Sequence, residues 1–62
     1  MQYKCYGKLH IWGWTEFKEK ISGKIVSYDT TGNIINFIIF EVEQPIDKKI
    51  CAEFGVNCKR VI

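Results

Sequence analysis

Apolar and polar residues alternate along the first fifth of the chain. From Tyr3 to Trp14 the odd positions are Tyr3, Cys5, Gly7, Leu9, Ile11 and Gly13, and the even ones are Lys4, Tyr6, Lys8, His10, Trp12 and Trp14. Strand side chains point alternately to opposite faces, so this run predicts a strand with a core-like odd face. Its even face mixes cations with aromatics. A second run spans Phe17 to Tyr28, where Phe17, Ile21, Gly23 and Ile25 share one parity and Val26 and Tyr28 take the other. A parity change beside a strand glycine predicts a bulge or sharp bend. A helical turn over Thr15–Lys20 competes locally but is too short to be stable alone.

Asp29-Thr30-Thr31-Gly32-Asn33 has the composition of a turn. The third run, Ile34 to Glu43, is apolar on both parities: Ile34, Ile38, Phe40 and Val42 on one, Ile35, Phe37 and Ile39 on the other. Such a strand is buried on both faces or seals an interface. Gln44-Pro45 starts a connection, since proline suits a turn or a sheet edge. Lys49–Phe54 and Asn57–Ile62 then read as two short strands around Gly55. The predicted architecture is all-β: one domain, residues 1–62, folded as a five-stranded, strongly bent, partly open barrel of SH3-like type.

Size and composition sharpen this. A chain of 62 residues is one domain at most. It buries only about 60% of its unfolded surface, so outside support is expected. With 47% hydrophobic and 15% aromatic residues, some apolar surface is left for a partner. The net charge is +2, and no Lys or Arg occurs from Ile25 to Asp47, so the charge is segregated. The N-terminus lacks an apolar signal region. The longest apolar stretch, Ile34–Phe40, is interrupted by Asn36, so no membrane span is expected. Three cysteines, an odd number, predict reduced thiols and a cytoplasmic location.

The candidate chemistry is binding chemistry. Cys5, His10, Cys51 and Cys58 have spacings unlike the short knuckles of structural zinc sites, so no metal is expected. His10 is the only histidine, and nothing in the sequence brings it to a cysteine. Glu41 and Glu43 read as a solvated face, and the glycines form no phosphate loop. Neither enzymatic activity nor a cofactor is therefore expected. Tyr6, His10, Trp12 and Trp14, interleaved with Lys4 and Lys8, offer the stacking platforms and phosphate attraction used by single-strand binders. Aromatic residues are equally enriched at oligomer and partner interfaces.

One segment has a more specific pattern. In Ile21–Ile34, Gly23 is followed by Ile25, then Tyr28-Asp29, then Asn33 four residues after the aspartate. This spacing resembles the first motif of the Sm and Sm-like family, and Gly23–Asp29 is similar to its bacterial host-factor branch. Phe54-Gly55-Val56-Asn57-Cys58 is similar to the short second motif, with Phe54 in place of an arginine. No counterpart of the family's N-terminal helix is evident. Asn36 stands where an aliphatic residue is usual, and Thr31 where a base-stacking side chain is common. The resemblance implies a self-assembling barrel, joined through strand edges into a homo-oligomeric ring, that binds single-stranded, uridine-rich RNA. It implies contacts from Asp29, Thr31, Asn33, Phe54 and Gly55, with Lys59 and Arg60 attracting phosphate. The alternative is a small inhibitor or adaptor with an SH3-like or OB-like barrel, docking a protein through Tyr6, Trp12 and Trp14.

Overall fold

The computed structural model describes all 62 residues. Strands β1 (Gln2–Tyr6), β2 (Lys24–Thr31), β3 (Ile34–Glu41) and β4 (Asn57–Arg60) form one antiparallel sheet in the order β2-β3-β1-β4. Helix α1 (Ile11–Ile21) lies between β1 and β2, and α2 (Lys48–Phe54) between β3 and β4. The chain is β-rich as expected, but it has four strands in an open sheet and two short helices in place of a five-stranded barrel. This β-α-β-β-α-β order is the split βαβ arrangement.

Two stretches read as strand are helical. The first run stops at Tyr6, and residues 11–21 form α1. Trp14, Phe17 and Ile21 recur at intervals of three and four, which puts them on one helical face. Trp14 and Phe17 are buried there, and that burial outweighs the strand-like alternation of residues 7–14. Gly23 accordingly follows a helix and does not bend a strand. Ser22 takes the left-handed conformation (φ 51°), and the Gly23 amide donates to the Lys18 carbonyl at 3.1 Å, closing α1. The bend predicted at Gly23 is a bulge two residues later, with Val26 as the extra residue between Ile25 and Ser27.

The second misread stretch is 49–54. Asp47 caps α2 by accepting the Lys49 amide at 2.8 Å, and Gly55 ends it at φ 66°. Ile50, Cys51 and Phe54 then face the core at helical spacing. Helical caps at both ends fix the segment as helix, a signal that a two-residue period does not register.

The core is a single cluster of Cys5, Trp14, Phe17, Ile38, Phe40, Val42 and Val56. Phe17 is at its centre, with ring centroids 6.0 Å from Trp14, 5.8 Å from Phe40 and 5.5 Å from Phe54. Both helices therefore pack on the sheet face that carries Cys5, Ile38 and Phe40. The opposite face has no covering layer.

Candidate nucleic-acid interface

Strand pairing assigns the residues of the uncovered face. Cross-strand partners share a face, and the buried Cys5, Ile38 and Phe40 mark the helix side. The uncovered side therefore carries Lys4 and Tyr6 from β1, Phe37 and Ile39 from β3, and Asn57 and Lys59 from β4. Lys24, Ser27 and Asp29 join it from β2 through their pairing with Glu41, Ile39 and Phe37.

At the middle of this face, on the two central strands, Tyr6 and Phe37 lie with ring centroids 6.0 Å apart. The Lys4 ammonium sits 4.1 Å from the Phe37 ring centroid and 5.5 Å from that of Tyr6. Lys59 is the cross-strand partner of Lys4, so a second cation lies beside the first on this face. The acidic groups nearby are engaged. The Asn36 side-chain amide donates to Asp29 Oδ2 at 2.7 Å and to Thr31 Oγ1 at 2.8 Å. Glu41 accepts from the Met1 ammonium at 2.7 Å, and that hydrogen bond holds its carboxyl below the usual range. The face thus presents two rings under net positive charge.

The structure divides the residues expected from sequence. Tyr6, Asp29, Thr31 and Lys59 are brought to this one face, and Asn33 lies in the turn that joins β2 to β3. Trp14 is no stacking platform: it is 3% exposed and belongs to the core. Trp12 and His10 are exposed, but on and just before α1, away from Tyr6's strand. Phe54 packs edge-on against Phe17 at 5.5 Å, and Gly55 serves as the cap of α2. Neither forms a pocket with Asp29, because β2 and β4 are the two outer strands of the sheet. Arg60 donates its Nε–H to the Ile62 carbonyl at 3.1 Å. Phe37, Ile39 and Asn36 were missed as site residues. The signal for the first two was the doubly apolar third strand, whose second apolar face is this surface.

The thiols form a group of their own. Cys51 and Cys58 have Sγ atoms 3.5 Å apart, and Cys5 is the cross-strand neighbour of Cys58. Burial pushes the Cys51 thiol up to about 12. The hydrogen bond with Cys5, then burial, raises Cys58 as well. His10 is exposed and outside this group. No group of three or more His, Cys, Asp or Glu side chains is arranged to hold a metal ion. No helix is long and apolar enough to cross a membrane.

The fold and this face define a small β-rich domain with an open, aromatic and basic sheet surface. No known family, curated protein or solved structure matches the chain.

Proposed function

We propose that this protein binds single-stranded RNA on its open sheet face. The observation that carries the reading is the Tyr6–Phe37 pair at 6.0 Å on the central strands, with Lys4 over the rings and Lys59 opposite Lys4. Aromatic rings on a sheet stack unpaired bases, while cations hold the phosphates. Lys4 covers Phe37 in the free protein. An exposed cation–π contact is worth about 0.5–1 kcal/mol, whereas a stacked base is worth about 1–3 kcal/mol. A base therefore displaces the ammonium, which then meets the phosphate. Asp29 lies opposite Phe37 and Asn33 in the turn of the same hairpin, so both add polar groups beside the platform.

Fluorescence anisotropy with oligouridine and a mixed-sequence strand tests this. Each platform lost, by Tyr6→Ala or Phe37→Ala, should weaken binding about 5- to 150-fold, the equivalent of one stack. Two phosphate contacts give a log–log salt slope near −1.4, so a fourfold rise in salt should cost about sevenfold in affinity. Absence of binding at low salt, or alanine variants that bind like the parent, would overturn the reading. The protein-docking alternative draws on the exposed Trp12 and gains ground only from that outcome.

A further inference from the structure

We propose that two copies of this chain pair antiparallel through the β2 edge, with Lys24 of each against Asp29 of the other. The two sheet edges are unlike. β4 is four residues long and carries Lys59 and Arg60, the usual protection of an exposed edge. β2 is eight residues long, all exposed, with one cation at its start. Ile25, Val26 and Tyr28 are 48%, 50% and 66% exposed. Unpaired backbone beside apolar side chains is the template on which another strand adds.

The bulge selects the register. Ile25, Tyr28 and Thr30 face the helix side through their partners Phe40, Ile38 and Ile35, while Lys24, Ser27 and Asp29 face the open side. Ile25, Tyr28 and Thr30 line the helix-side groove and Val26, the extra residue of the bulge, does not, which puts it with Ser27 on the open side. In a two-fold antiparallel pair, partners must share a face. Of the registers that pair six or more residues of each copy, only one satisfies this for every pair: Lys24 with Asp29, Ile25 with Tyr28, Val26 with Ser27, and the same three in reverse. Shifting by two in either direction opposes a helix-side residue to an open-side one, Ile25 to Val26 or Ser27 to Tyr28. Shifts of one, three and four that keep six or more residues paired fail too, opposing Val26 to Tyr28, Val26 to Thr30 and Ser27 to Thr30. The register that faces allow is also the one that places opposite charges together at both ends and Ile25 against Tyr28 on the helix side.

A stable pair needs more surface than the strand edge alone. A specific interface takes about 800 Å² from each partner, roughly a sixth of the chain's 4685 Å². Beyond the strand, the helix side of β2 forms one wall of an apolar groove of 1140 Å³ against α1, shared by Ile25, Tyr28, Ile11 and Trp14. In the pair, Tyr28 of each copy covers Ile25 of the other at its mouth. The symmetry is closed, so assembly stops at two, with the protected β4 edges outermost.

Sedimentation over a dilution series should give twice 7.3 kDa, falling to one copy on dilution. A mass of one copy at every concentration would overturn the proposal. Lys24→Glu and Asp29→Lys, each alone, oppose like charges at two sites and should weaken pairing roughly tenfold or more. Mixing the two variants recreates opposite charges at both sites and should restore the pair. Variants that stay as tightly paired as the parent, or a mixture that does not recover, would refute the register. Asp29 also holds Asn36, so a measurement on the unaltered chain accompanies these. Amide hydrogen exchange should show concentration-dependent protection confined to residues 24–31, and protection elsewhere or nowhere counts against it. Tyr6→Ala leaves the mass unchanged, which separates this proposal from the RNA reading.

Discussion

Replacing Phe17 tests the reassignment of residues 11–21 from strand to helix. Phe17 is fully buried, and its ring meets Trp14, Phe40 and Phe54. Deleting a buried Phe to Ala costs about 3–5 kcal/mol. A domain of this length has only about 3–9 kcal/mol in total, so Phe17→Ala should leave little folded protein. Phe17→Leu keeps most of the volume and loses mainly the three ring contacts, each worth about 0.5–1.5 kcal/mol. Part of that returns as leucine repacks, and a net loss of about 1–2 kcal/mol is expected. For a domain this small, that lowers Tm by about 5–15 °C. The decisive assay is a double-mutant cycle by thermal or urea unfolding, combining Phe17→Leu with Trp14→Leu. In a helix these residues share a face, with ring centroids 6.0 Å apart, and should couple by about 0.5–1.5 kcal/mol. On a strand, positions 14 and 17 point to opposite faces and cannot touch. Additivity within about 0.3 kcal/mol would refute the packing described.

Three further outcomes follow from local geometry. Ser22 occupies a left-handed conformation without being glycine, so Ser22→Gly should stabilise the protein by about 0.5–1 kcal/mol in urea titration. Gly55→Ala should do the reverse by about 1–2 kcal/mol, although nothing lies near its added methyl group, because φ is 66°. Asp47→Ala removes the cap of α2 and should cost about 0.5–2 kcal/mol. The raised thiols of Cys51 and Cys58 carry little thiolate near neutrality, so native protein should react with iodoacetamide one to three orders of magnitude more slowly than urea-unfolded protein. Because these acids are raised in the folded state, they favour folding below the unfolded thiol value. That contribution is lost as pH climbs from about 9 towards 12, which a Cys51→Ser, Cys58→Ser variant should blunt.

The central hairpin was legible because its signals are local. Gly32-Asn33 makes the turn, and the apolar runs on either side pair as β2 and β3. Tyr3–Tyr6 of β1 were legible for the same reason. The helices were not, because a two-residue period also runs through Lys8–Trp14, where Leu9 and Ile11 happen to alternate with polar and aromatic residues. The three-and-four spacing of Trp14, Phe17 and Ile21 crosses the boundary drawn at Thr15. For α2 the evidence lay in its flanks, Asp47 before and Gly55 after, and not in its seven residues. The site was half legible. Tyr6 with Lys4 needed only strand alternation, whereas Phe37 beside Tyr6 depends on β3 lying next to β1, a long-range pairing that no local pattern encodes.

The two surfaces have consequences for each other. If β2 joins two copies, the open faces of both form one continuous surface, because the pairing preserves the side on which Ser27 and Asp29 lie. The Phe37 platforms then sit three strand spacings apart across the sheet, about 14 Å, and about four residues apart along it, about 13 Å, so roughly 20 Å separates them. A strand long enough to reach both binds the second intramolecularly, at an effective concentration in the millimolar range for a short flexible link. A short strand that fills one platform gains nothing from pairing. Oligonucleotide length should therefore matter far more to the paired protein than to single copies. Titrations with short and long oligouridine, above and below the concentration at which the copies separate, read this directly. The long strand should lose about 10²-fold or more of its advantage on separation, while the short strand keeps its affinity. Equal length dependence in both states would mean that the two faces do not act on the same strand.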